Sequence, residues 1–157
     1  MSLWLQTLFI SMAPIVELRG GLPWGLAHGL PWWEAYAAAV IGNLLPIIPL
    51  ILWLDPVSEW MRRKWGWADR FFSWIFSRTR RRGTIVEKYE ALGLLLFVAI
   101  PLPVTGAWTG AAAAFIFGIQ NRYAFPAVIG GVLLAGVIVS LAYYGVIGTA
   151  DLFLGGY

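Results

Sequence analysis

Cysteine is absent from this 157-residue chain, so disulfides and thiolate metal sites are excluded. Histidine occurs once, at His28, too sparsely for a His-clustered metal centre or a Ser-His-Asp triad. Charge is scarce as well. Asp, Glu, Lys and Arg together make up 12% of the residues, against roughly 25% in soluble domains, too few to coat a water-facing surface. No glycine-rich loop ends in Lys-Ser or Lys-Thr, so ATP-driven work by this chain alone has no support. Neither paired carboxylates nor a nucleophile–base pair is present, so the chain is not expected to be an enzyme, and no cofactor is expected. What the sequence does contain is apolar: 60% hydrophobic residues, 16% aromatic, which excludes disorder. The composition is that of a small all-α integral membrane protein with a single membrane domain over 1–157.

The few charges are concentrated. Asp55 to Glu90 holds nine basic and five acidic residues, net +4, and the rest of the chain nets −1. Two apolar blocks therefore flank one basic linker, 55–91. By the positive-inside rule the linker faces the cytoplasm of a bacterial-type inner membrane. Apolar spans on both sides argue against nucleic acid as the partner of this basic run and for membrane lipid. Arg80 to Arg82 read as lipid-headgroup contacts and topology determinants. The N-terminus lacks the basic region of a secretory signal, and Leu3 to Val16 is too short to span, which takes about 20 residues.

Glu34 to Leu54 reads as a transmembrane helix, with Trp33 and Trp53 about 30 Å apart at helical rise, one for each membrane interface. Ala124 to Gly148 is the second span. Its Ala127, Gly131 and Ala135 form a small-residue stripe for close helix contact. Residues 57–76 read as one amphipathic helix. Val57, Trp60, Met61, Ala68, Phe71, Phe72 and Ile75 lie on its apolar face, and Lys64 has to snorkel from that side. Such a helix lies in the membrane interface or packs on the protein's own cytoplasmic end.

Two apolar stretches remain, Leu3 to Leu30 and Leu92 to Gly118. Pro14, Gly20, Gly21 and Pro23 break the first. Pro101, Pro103, Gly106 and Gly110 break the second. Proline and glycine at this density do not continue a straight helix. They suit helical hairpins that enter the membrane and return, with these residues forming the tip backbone. Such backbone persists at depth only when buried in protein or lining a cavity. The order is then hairpin and span (1–54), linker (55–91), hairpin and span (92–157). This is an inverted repeat of re-entrant hairpin plus transmembrane helix, with both termini outside, as in many secondary transporters.

Glu17 and Arg19 are the ionisable residues expected inside the membrane, where a charge costs roughly 2.5 kcal/mol or more. In an unwound tip they would converge on one cavity, with Gly20 and Gly21 freeing amides for a ligand. Burial favours the neutral form of a carboxylic acid, which makes Glu17 a candidate proton carrier. The fork of Arg19 suits a phosphate or carboxylate. The alternative is an ion pair that pins the hairpin. Thr105, Trp108 and Thr109 would line the opposite wall, although the threonines could instead bond local carbonyls. Gly106, Gly110, Ala114 and Gly118 read first as a helix-contact stripe. Asn43, near mid-membrane, bonds either a neighbouring helix or a substrate, and His28 reads as a surface residue. Two small-residue stripes on so small a bundle suggest a homodimer.

The segments Glu17-Leu-Arg-Gly-Gly-Leu-Pro23 and Pro101-Leu-Pro-Val-Thr-Gly106 resemble the small multidrug export protein family, which is itself similar to the DedA superfamily. The resemblance covers nearly the whole chain. It implies paired re-entrant hairpins and either proton-coupled export of small amphipathic compounds or translocation of a polyprenyl-phosphate or other phospholipid. Glu17 and Arg19 would match the acidic and basic positions of the first hairpin. Where DedA proteins carry arginines in the second, this chain has Thr105 and Thr109. A membrane scaffold without transport is the remaining alternative from another class.

Overall fold

The protein is described by a computed structural model covering residues 1–79, 84–101 and 105–154. Among these residues there are seven helices and no strand. They are α1 (Leu3–Met12), α2 (Glu17–Ala27), α3 (Trp32–Lys64), α4 (Gly66–Thr79), α5 (Thr84–Ala99), α6 (Ala107–Phe117) and α7 (Asn121–Leu154). Pro103 and Arg80 to Arg82 lie outside the described residues.

Local chemistry sets the first boundaries. Ser2 caps α1 by accepting from the Leu5 amide at 3.4 Å. Ala13 is extended (φ −66°, ψ 133°), the conformation a following proline enforces, and α1 ends there at Pro14. The turn is shorter than the Pro14–Pro23 segment expected to be unwound, because α2 resumes at Glu17. Gly20, Gly21 and Pro23 are therefore helical residues and do not form a tip. Gly110 likewise lies inside α6.

The first span is longer than Glu34–Leu54. α3 continues for 33 residues, through Pro46, Pro49 and Pro56. It takes up the start of the expected 57–76 helix, which the structure divides in two. Trp65 is extended (φ −130°, ψ 119°), and its carbonyl accepts from Ala68 and Asp69 to start α4. Gly66 is the first residue of α4, and the elbow itself is the extended Trp65.

α1 packs along α3, and α5 along α7; α2 crosses onto α7, and α6 onto α3. The pairings thus exchange when the two halves are swapped. Small residues make up much of the inward faces of α3 and α7, alongside Ile47, Ile51, Val128 and Val132. Ala35, Ala38, Ala39 and Gly42 of α3 are buried, while Ile41, Leu45, Ile48 and Leu52 are exposed. On α7, Ala127, Gly131 and Ala135 are buried, while Leu133, Leu134 and Leu141 point out. A soluble bundle does the reverse. Large apolar side chains outside and small ones inside are the packing of helices surrounded by lipid. A Cβ on Gly42 would overlap the Leu8 carbonyl, and one on Gly131 would lie 2.8 Å from the Leu95 carbonyl. The α7 stripe is therefore used within the protomer, against α5. Gly106, Gly110 and Ala114 of the other stripe are buried too. Two helices, Trp32–Lys64 and the Asn121–Ile147 portion of α7, are long and apolar enough to cross a bilayer. The chain is a helical membrane protein.

Candidate functional site

α2 opens on Glu17, whose backbone is left-handed at φ 51°. For a residue with a Cβ this costs about 1 kcal/mol. The conformation turns its carboxylate across the bundle instead of along α2. The side chain is 6% exposed. Its Oε1 accepts from the Trp108 amide at 3.2 Å, and the Ala107 amide faces the same carboxylate. Those two amides are the first of α6. A helix start carries unsatisfied N–H groups and the positive end of the helix dipole. The N-cap position is Gly106, which has no side chain to satisfy them. Glu17 supplies the cap from about ninety residues away in sequence. Gly106 is needed because a Cβ there would fall on the Glu17 carboxylate. Its own backbone is extended and open to any residue, so the requirement is space, not conformation.

Arg19 makes the complementary contact. α5 ends at Ala99, where carbonyls lack helical donors and the dipole is negative. The Arg19 Nη2 donates to the Ile100 carbonyl at 3.2 Å and to Thr105 Oγ1 at 3.1 Å. Thr105 Oγ1 itself donates to the Ile100 carbonyl at 2.9 Å. The acid thus sits on the positive end of one helix and the base on the negative end of another, at the break between α5 and α6. The two side chains also lie close enough for their charges to interact.

The site brings together five residues expected from the sequence: Glu17, Arg19, Thr105, Gly106 and Trp108. Trp108 contributes its amide; its half-buried indole has a buried Nε1 with no hydrogen-bond partner among the described residues. Thr109 bonds the Gly106 carbonyl at 3.2 Å, the local back-bond that was one of its two readings. Asn43 is 3% exposed on α3, and its Oδ1 has no hydrogen-bond partner among the described residues. It bonds neither Glu17 nor Arg19. Pro14 and Pro101 are exposed beside the two breaks. Gly20 lies against the Val16 side chain, Gly21 against Ser11, and Gly110 against Val98. All three are close-packed positions where a Cβ would meet a neighbouring side chain.

Ser11 and Thr7 were not foreseen. Both are fully buried on α1 and bond back to Thr7 and Leu3 carbonyls at 2.8 and 2.9 Å. Gly21 and Gly25 of α2 accommodate them. The Ile100 carbonyl was missed too, since no sequence pattern marks a backbone acceptor. The available signal was Gly-Ala-Trp-Thr, a helix start with no capping side chain of its own.

No curated protein and no solved structure matches the chain. One family model does. It is described as "Putative small multi-drug export protein" and matches residues 17–138, from Glu17 through Arg19, Asn43 and the whole α5–α6 break. That match covers well over half of the sequence, and it falls on a helical membrane bundle whose interior charges meet at two helix ends. The chain belongs to this family of small multidrug export proteins.

Proposed function

We propose that the protein is a small secondary transporter, proton-coupled through Glu17, that exports small amphipathic compounds. The carrying observation is the buried Glu17 carboxylate on the first amides of α6. Protonation removes the charge that this helix end favours and turns one carboxylate oxygen into a donor facing other donors. The contact between the hairpins then loosens. A proton thereby changes how tightly α2 holds α6, which is the coupling alternating access needs.

The two helix pairs are proposed to be re-entrant and related as an inverted repeat. Support comes from the exchange of pairings between halves. It comes also from the ends at which they open. α2 runs directly into the start of α3, whereas the end of α6 meets α4 through Phe115 and Phe72, 5.9 Å apart. α4 follows the far end of α3, so the pairs open at opposite ends. With the basic elbow cytoplasmic, both termini lie outside an inner membrane. DedA-like kinship follows from the same reading. A homodimer would be built on exposed apolar faces, such as those of α3, α5 or α7, since Gly131 and Gly110 of the small-residue stripes are occupied within the protomer.

The test is transport by purified protein in proteoliposomes under an imposed pH gradient, with a lipophilic cation as substrate. Wild type should accumulate the cation. Glu17→Gln should bind it and fold, yet lose the dependence on the gradient. A Glu17→Gln variant with undiminished gradient-driven transport contradicts the reading.

A further inference from the structure

Six polar or charged side chains are buried among the described residues: Thr7, Ser11, Glu17, Asn43, Ser58 and Ser140. Five of them have partners. The four hydroxyls donate to carbonyls of their own helices at 2.7–2.9 Å, and Glu17 caps α6. Asn43 is the exception, since its Oδ1 is buried and accepts from no described residue. Trp108 Nε1 is the other buried side-chain polar atom in this position. One is an acceptor and the other a donor. A buried polar atom left unpaired lowers stability, and leucine would fill the Asn43 position without that cost.

Both residues lie at the depth of the Glu17 contact. Trp108 does so through its amide, which Glu17 holds. Two observations place Asn43 there. Glu17 stands ten residues before α2 ends at Ala27, and Asn43 eleven residues after α3 begins at Trp32. α2 and α3 pack together from the turn between them, so each residue is about 15 Å from that turn at helical rise. The neighbouring Gly42 also abuts the Leu8 carbonyl, one helical turn before α1 ends. On α3, Asn43 shares a stripe with Tyr36, Val40 and Ile47. Tyr36 donates to the Leu133 carbonyl of α7 at 2.9 Å, and Val40 and Ile47 are buried. Asn43 therefore faces the middle of the bundle. Trp108 stands about 160° around α6 from Gly110, where an added Cβ would meet Val98 of α5. Its indole is turned away from α5, on a helix that also packs on α3.

We infer that Asn43 and Trp108 are substrate-binding residues, and that they select amphipathic compounds carrying a neutral group that both donates and accepts, a hydroxyl or a carboxamide. The inference rests on the export reading and names the substrate class of the same site. Such a group donates to Asn43 Oδ1 and accepts from the indole N–H, so the pairs missing from the protein alone are completed by the ligand. A purely apolar compound leaves both atoms unpaired, and a site built to hydrogen-bond its substrate discriminates against an analogue that cannot. A hydroxyl suits either orientation of the Asn43 amide. Glu17 is already committed to the α6 amides. It couples the site to the proton, while Asn43 and Trp108 read the compound.

The experiment is equilibrium dialysis of the full-length protein in detergent, at one pH and without a gradient. The probes are butyltriphenylphosphonium and (3-hydroxypropyl)triphenylphosphonium, matched in charge and size and differing by a methyl against a hydroxyl. Wild type should bind the hydroxylated cation about tenfold more tightly. Asn43→Leu should level the two affinities and raise the thermal midpoint by about 3 °C, because an unpaired buried amide is gone. Trp108→Phe keeps a ring and should reduce the preference about threefold. Equal binding by wild type, binding of neither cation, or a preference that survives Asn43→Leu would each overturn the inference. So would a lowered midpoint in Asn43→Leu, which would show that the amide serves the fold. Gradient-driven transport is a separate readout. Its loss with the preference intact sinks the export reading alone, and its persistence with equal binding sinks this inference alone.

Discussion

The two helix pairs solve the same problem in opposite ways. α1–α2 carries both interior charges and turns through Ala13 to Val16, tied by its own amides: Glu17 N–H to the Ala13 carbonyl and Gly20 N–H to the Val16 carbonyl. α5–α6 offers no charge at its break and leaves bare helix ends. The first pair has side chains that need partners, and the second has backbone groups that need them. Each supplies what the other lacks. Each interior charge meets the helix end of opposite polarity, in addition to the other charge. Under the proposed proton coupling, protonating Glu17 loosens a contact between two helix pairs, whereas protonating an N-cap side chain within one helix would loosen only that helix's own end.

Breaking the comparison at its tightest point should have the largest effect. Gly106→Ala places a Cβ on the Glu17 carboxylate and pushes it off the α6 amides. A loss of about 3 kcal/mol is expected, from overpacking and from buried donors left unpaired. A fall in the thermal midpoint in detergent would report it. Gly21→Ala tests the first pair alone, since its Cβ would overlap Ser11. About 2 kcal/mol is expected there, with the contact between the pairs preserved in a cross-linking assay. Thr105→Val removes both the Arg19 acceptor and the donor to Ile100. About 1 kcal/mol should be lost, and Thr105→Ser should restore it. Gly93→Ala is the control on α5, where an added Cβ meets open space. It should be neutral or gain up to roughly 1 kcal/mol from helix propensity, which separates glycines used for contact from one that is not.

Much of this design could be read from the residues. The isolated Glu17 and Arg19, the Pro-Gly interruptions and the two apolar spans sufficed to set the interior charges opposite Thr105 and Trp108, whereas Thr109, expected on the same wall, bonds its own helix. The limits of the broken segments could not be read. Proline marks a possible end of a helix, yet Pro14 ends one while Pro23, Pro46 and Pro49 lie inside theirs. The difference is tertiary support, which no local pattern encodes. The 57–76 segment reads as one helix because its periodicity survives the elbow. Trp65 leaves the helix at a point the periodicity does not mark, and Arg62 and Asp69 meet across the bend. The cap on α6 was invisible for a third reason. It joins a side chain to a backbone about ninety residues away, and only Gly106, read as tip backbone, hinted that something else would fill the space.

The most direct test of the account is a double-mutant cycle between Glu17 and Gly106, measured as unfolding free energy in detergent at constant pH. If the carboxylate occupies the space above Gly106, then Gly106→Ala is costly only while Glu17 is present. In a Glu17→Ala background the same substitution should cost at least about 1 kcal/mol less, a coupling outside the usual additivity of independent sites. Additive losses in the two single variants and the double variant would mean that Glu17 does not cap α6, and the link between the two helix pairs would have to lie elsewhere.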